Sequence, residues 1–161
     1  MSVIQHLLNH MHAFLALIPV ADAFAGTKYT LPCKMTKYDR AHFLAAFGAG
    51  ATGTTKITAE ACSDSSGTGA TAIPFQVSKQ AGADAADSWS DYEDVAAAGY
   101  DTPAAANKLH LIQVRKDDMP DGKPWLRLKL VEQVDSPMAG AIICVLTHPA
   151  YPQMPPVSVL S

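Results

Sequence analysis

Charge is scarce in this chain of 161 residues: Asp, Glu, Lys and Arg make up 17% of it, with 12 basic side chains against 15 acidic ones. A net charge of −3 supplies no basic stripe for a phosphate backbone, so no nucleic-acid partner is expected. Cysteine is nearly as sparse. Cys33, Cys62 and Cys144 stand far apart without a CxxC, which excludes a zinc framework and a disulfide scaffold on spacing alone. Cys144 sits inside the apolar run AGAIICVL and reads as a small buried hydrophobe. No apolar run is long and pure enough to span a bilayer as a helix, and no membrane partner is expected. Only two indoles occur, Trp89 and Trp125, and Trp125, at a strand start beside Pro124, has no second aromatic nearby to support a sugar-stacking platform.

Chemical signatures are missing as well. In FGAGATGTTKITAEAC, Gly48 and Gly53 have the separation of the two glycines of a phosphate-binding loop, but Thr54 and Thr55 stand where Lys and a hydroxyl residue are required. Lys56 comes two positions late, and the alternation of Ile57, Ala59 and Ala61 with polar residues is that of a strand. The stretch is predicted to be a hairpin, with strands at 41–48 and 54–62. His6 and His10 lie one helical turn apart with His12 nearby, yet no carboxylate accompanies them. Asp117, Asp118 and Asp121 beside Gly122 lack the alternate-position oxygens and distant Glu of a calcium loop. His42, His110 and His148 belong to no GxSxG elbow or comparable nucleophile signature. No catalytic residue, cofactor or metal is assigned, and the chain is read as non-enzymatic.

What the chain does contain is strands. YTLPCKM, AHFLAAFG, TTKITAEAC, TAIPFQVSK, KLHLIQVRK, WLRLKLVEQV and AGAIICVLTH are separated by turn clusters such as CSDSSGTG and DDMPDGKP. In WLRLKLV, Leu126, Leu128 and Leu130 point one way while Arg127 and Lys129 point the other. HFLAAF does not alternate, which suits a strand buried on both sides or against a partner. About seven strands predict an all-β antiparallel β-sandwich, jelly-roll-like, over residues 27–150. At this length one domain buries enough surface to fold without staples.

Two appendages flank that domain. In residues 1–26, Ile4, Leu7, Leu8, Met11, Phe14, Leu15 and Ile18 recur at three-and-four spacing, predicting a helical arm ended by Pro19. Small residues in ALIPVADAFA allow signal cleavage near Ala23 or Ala25 as a rival, but residues 1–10 lack the Lys or Arg of a secretory leader. The middle segment QAGADAADSWSDYEDVAAAGYDTPAAAN is acidic and alanine-rich, with a short helix expected over 90–98. Residues 151–161 carry Pro152, Pro155 and Pro156 and read as an extended tail, with VSVLS able to pair with a neighbour's sheet edge.

Three phrases, PVADAFAGT at 19–27, GAGATGTTKITAEAC at 48–62 and PWLRLKLVEQVDSPMAGAIICVLTHPAY at 124–151, resemble a family of small tailed-bacteriophage virion proteins that look like capsid decoration, or cement, proteins. The resemblance covers most of the chain outside the first 18 residues and the alanine-rich middle. It implies a non-enzymatic protein on the exterior of the icosahedral capsid, bound to the major capsid protein and self-associated as a dimer or trimer. On that reading Ile4, Leu7, Leu8, Met11, Phe14 and Leu15 of the arm and Tyr151, Val157, Val159 and Leu160 of the tail make the contacts. A neck, tail or host-adhesion component is the alternative within the virion; a secreted carbohydrate-binding sandwich is the alternative outside it.

Overall fold

The computed structural model describes residues 10–48, 52–80, 87–104, 107–150 and 158–160. These residues form β-strands with no α-helix among them: β1 (Met11–Val20), β2 (Thr27–Tyr29), β3 (Cys33–Lys34), β4 (Tyr38–Phe47), β5 (Thr54–Cys62), β6 (Thr71–Ile73), β7 (Phe75–Lys79), β8 (Glu93–Val95), β9 (Tyr100–Asp101), β10 (Lys108–Arg115), β11 (Trp125–Val134) and β12 (Gly140–Pro149). They build two antiparallel sheets. The first runs β1-β12-β4-β10-β7-β8 and the second β2-β11-β5-β6, with β3 also on β11 and β9 also on β5.

The sheets face each other across one core. β11 contributes Leu126, Leu128 and Leu130 from the second sheet; β4, β10 and β12 contribute Phe43, Ile112, Ile142 and Leu146 from the first. Period-two burial along β11 follows the sequence, because one pleated face is dry and the other carries Arg127 and Lys129.

The chain crosses between sheets twice along one side. β6 pairs with β5, whereas β7, just beyond Pro74, pairs with β10. Proline cannot donate to a ladder, so a change of sheet at that point costs no hydrogen bond. β8 pairs with β7 and β9 with β5, and between them Gly99 adopts φ 96° and donates its N–H to the Ala96 carbonyl. On the opposite side the Leu31 N–H donates to the Ala16 carbonyl at 2.8 Å, joining β1 to the segment between β2 and β3.

Four expectations from sequence are corrected. Met11–Val20 is a strand paired with β12, not part of a helical arm. Two register shifts, between Leu15 and Leu17 and between Leu17 and Val20, insert extra residues, so its apolar side chains fall at a spacing that imitates a helix. Strands β4 and β5 do not form a hairpin: β4 lies between β12 and β10, while β5 lies beside β11 in the other sheet. Within 90–98 the described element is strand β8, with the Ser90 side chain accepting the Lys79 N–H. Val159, expected to pair with a neighbour's edge, is buried in the chain's own core, and its carbonyl accepts the Lys34 N–H at 2.8 Å.

Candidate interaction surface

The two outer faces of the molecule differ in chemistry. On the second sheet the outward residues include two cross-strand ion pairs, Arg127 with Glu60 and Lys56 with Asp101. Arg127 donates to Glu60 Oε2 from Nε at 2.9 Å and from Nη2 at 2.8 Å, and its guanidinium lies 4.1 Å from the centre of the Tyr29 ring. Lys56 pairs with Asp101 across the sheet, and Lys34 sits over the Trp125 ring.

The outer face of the first sheet is aliphatic. Cross-strand register places Leu15 of β1 opposite Ile143 of β12, Ile143 opposite Leu44 of β4, and Leu44 opposite Leu111 of β10, one unbroken row across four strands. These four alternate with the inward residues Phe14, Cys144, Phe43 and Ile112, so they point away from the core. Two positions along the strands, Ala141 pairs with Ala46 and Ala46 with Leu109, making a shallower row. In the other direction Ala13, Val145 and His42 form the next rank. Exposure is substantial for the row's outer members, 47% at Leu15 and 40% at Ile143, and Ile18 at the sheet edge is 66% exposed. No described element covers this face. The alanine row opens into a hollow of about 570 Å³ lined by Pro19, Val20, Phe47, Gly48, Ala139 and Gly140.

At the far end of the same face lies the polar cluster that the histidines form. The Thr147 hydroxyl is 3.0 Å from His42 Nε2 and 3.0 Å from His148 Nδ1, so it can donate to one imidazole and accept from the other. Burial, then Arg40 and His148, hold the His42 pKa below the ordinary imidazole value, leaving it neutral at pH 7. His148 has φ 55°, rare for a side chain with a Cβ, at the end of β12. His110 is buried in the core between the Phe47 and Tyr100 rings, and its pKa is pushed down to about 4, chiefly by burial and secondarily by Lys79 and Lys108. His12 points inward toward Phe14 and Tyr38. Among the described residues no group of three or more His, Cys, Asp or Glu is placed to hold a metal ion. Asp117 and Asp118 sit in a 3-10 turn at Lys116–Asp118, and Asp117 and Asp121 line a hollow of about 410 Å³ with Lys116, Met119 and Pro120.

The contact residues expected from sequence separate into three groups. Met11 and Leu15 lie on the aliphatic outer face, and Leu160 is also exposed. Phe14 and Val159 face the core instead. Ile4, Leu7, Leu8, Tyr151 and Val157 lie outside the described residues. Sequence reasoning did not single out Leu44, Leu111, Ile143 and Val145 as surface residues. For Leu44 the signal was the lack of alternation in HFLAAF, read as a strand buried on both sides or against a partner; Ile143 and Val145 lie in the apolar run AGAIICVL, in which Cys144 was read as buried.

No family model, curated protein or solved structure matches this chain. No helix among the described residues is long and apolar enough to cross a membrane.

Proposed function

We propose that this chain is a non-enzymatic structural protein of a tailed-phage particle, decorating and stabilising the exterior of the capsid, and that the aliphatic face of its first sheet is buried in that assembly. The contrast between the two outer faces carries the reading. A contiguous aliphatic patch that no described element covers fits a contact with another polypeptide, whereas the paired charges of the opposite face are suited to water. An adhesive inner side and a solvated outer side are what a coat-reinforcing protein requires.

The strand order supports a jelly roll. Taking β2 with β3, and β6 with β7, as single runs interrupted by a bend, and setting the β8 and β9 excursion aside, eight runs remain. They pair first with eighth, second with seventh, third with sixth and fourth with fifth, as a long hairpin rolled up on itself would. That architecture is common in viral coats and also serves lectins. The resemblance of the three sequence phrases to virion proteins points to the coat.

Quantitative mass spectrometry of purified particles tests the proposal. A copy number comparable to that of the major capsid protein is expected; only a few copies per particle would move the chain to the neck or tail, and its absence from particles would reject a virion role.

A further inference from the structure

We infer that Cys33 and Cys144 are a paired redox site, closing into a disulfide between the two sheets when a small-molecule disulfide accepts their electrons. Both thiols are fully buried in the common core, Cys33 on β3 of the second sheet and Cys144 on β12 of the first. Backbone bonds bring the two strands together. The Leu31 N–H, two residues before Cys33, donates to the Ala16 carbonyl, and Phe14, two residues before Ala16, is the cross-strand partner of Cys144. The thiols meet across that join. Cys33 Sγ donates to the Leu126 carbonyl at 3.6 Å, so its one proton is engaged, and the hydrogen bond between the two thiols runs from Cys144 to the Cys33 sulfur. Sandwiches accommodate such a link, since antibody domains join their facing sheets by a cysteine pair. Cys62 is excluded by direction. It pairs with Trp125 of β11, whereas Cys33 pairs with the next residue, Leu126, whose side chain points to the other face of the sheet.

The redox step balances between the pair and its acceptor. A thiolate of one cysteine attacks a sulfur of the small disulfide and expels one thiolate; the second cysteine then attacks the mixed disulfide and expels the other. Two electrons and two protons pass from the pair to the acceptor, which leaves as two thiols. Burial, then the adjacent Cys33 sulfur, holds the Cys144 pKa well above the ordinary thiol value, so the closed fold reacts slowly. The bond is made during folding or local opening, and a reducing compartment leaves the pair as thiols. Once formed, it closes a loop from residue 33 to residue 144, most of the chain, and so restricts the unfolded state strongly.

Refolding the full chain from urea into excess oxidised glutathione with some reduced glutathione, followed by alkylation, digestion and mass spectrometry, tests the inference. In urea itself, loop length alone favours Cys33–Cys62 over Cys33–Cys144 by roughly sevenfold. The refolded chain is expected to reverse that order. Recovery of Cys33 and Cys144 as free thiols, or pairings with Cys62 as frequent as in urea, overturns the inference. The oxidised chain should also melt on the order of 10 °C above the same sample treated with dithiothreitol. An oxidised chain that melts no higher means that the sheets are not placed to take the bond, which overturns the staple. Cys144→Ala should abolish the dithiothreitol-sensitive shift, and a shift that persists in it counts against the pair. If Cys144→Ala fails to fold by circular dichroism, Cys62→Ala replaces it: this variant keeps the pair and should keep the whole shift, and its loss would assign the shift to Cys62 instead.

Discussion

Arg127 is enclosed from three directions, by the Glu60 carboxylate, by the Tyr29 ring and by the turn that carries Gly67. Gly67 adopts φ 84°, and a methyl group there would collide with the guanidinium. Gly67→Ala should therefore destabilise the fold by about 1 to 3 kcal/mol, from left-handed backbone strain plus displacement of Arg127, measurable as a lower urea midpoint at unchanged slope. His110 gives the molecule a pH dependence with a definite sign. Its folded pKa of about 4 lies below the unfolded value of 6.5, so between those values the unfolded chain binds more protons and stability falls as pH falls. His12 and His42, also lowered by burial, act in the same direction. Urea unfolding should show a loss on the order of 2 to 3 kcal/mol from His110 between pH 7 and pH 4, and His110→Phe, placed among the Phe47 and Tyr100 rings, should flatten the profile.

At the level of elements, β1 differs most from what its sequence suggests. HMHAFLALIPV is apolar on both sides of the strand because its outward residues belong to the aliphatic face, and two bulges break the remaining alternation. Neither cause can be detected from the segment alone; both depend on β12, more than a hundred residues away. β11 is the opposite case, since its wet face is charged and its period of two survives in WLRLKLV. β4, β10 and β12 were legible as strands, but the direction of their second apolar face was not, because a run of aliphatics looks the same whether its outer side meets the molecule's own core or another chain. The connection between β4 and β5 read as a hairpin because proximity in sequence favours pairing, and only the roll of the whole chain separates the two. The role of β1 also changes the expected effect of truncation. Removing residues through Val20 takes Phe14 and Ala16 from the core and bares the edge of β12, so the remaining chain should aggregate or melt well below the full protein in a thermal scan. Deleting Ala16 alone removes the first bulge together with a buried core side chain and the carbonyl that accepts the Leu31 N–H; loss of amide-exchange protection at Leu31 would report it.

For the whole molecule, size and topology favour a single cooperative unit. Its core draws buried residues from both sheets and from the tail residue Val159. Far-ultraviolet dichroism and Trp125 fluorescence should follow one coincident denaturant transition, and separated curves would mean that the two sheets melt independently. The slow step of folding is expected to be long-range closure, since β1 finds β12 only after nearly the whole chain has been laid down.

The two crossings at Pro74 and at residues 96–99 have a mechanical corollary. Because the same stretches of backbone belong first to one layer and then to the other, a sideways load on the greasy layer reaches the charged layer through peptide bonds rather than by friction between side chains. The body should resist delamination and yield, when it does, as a block.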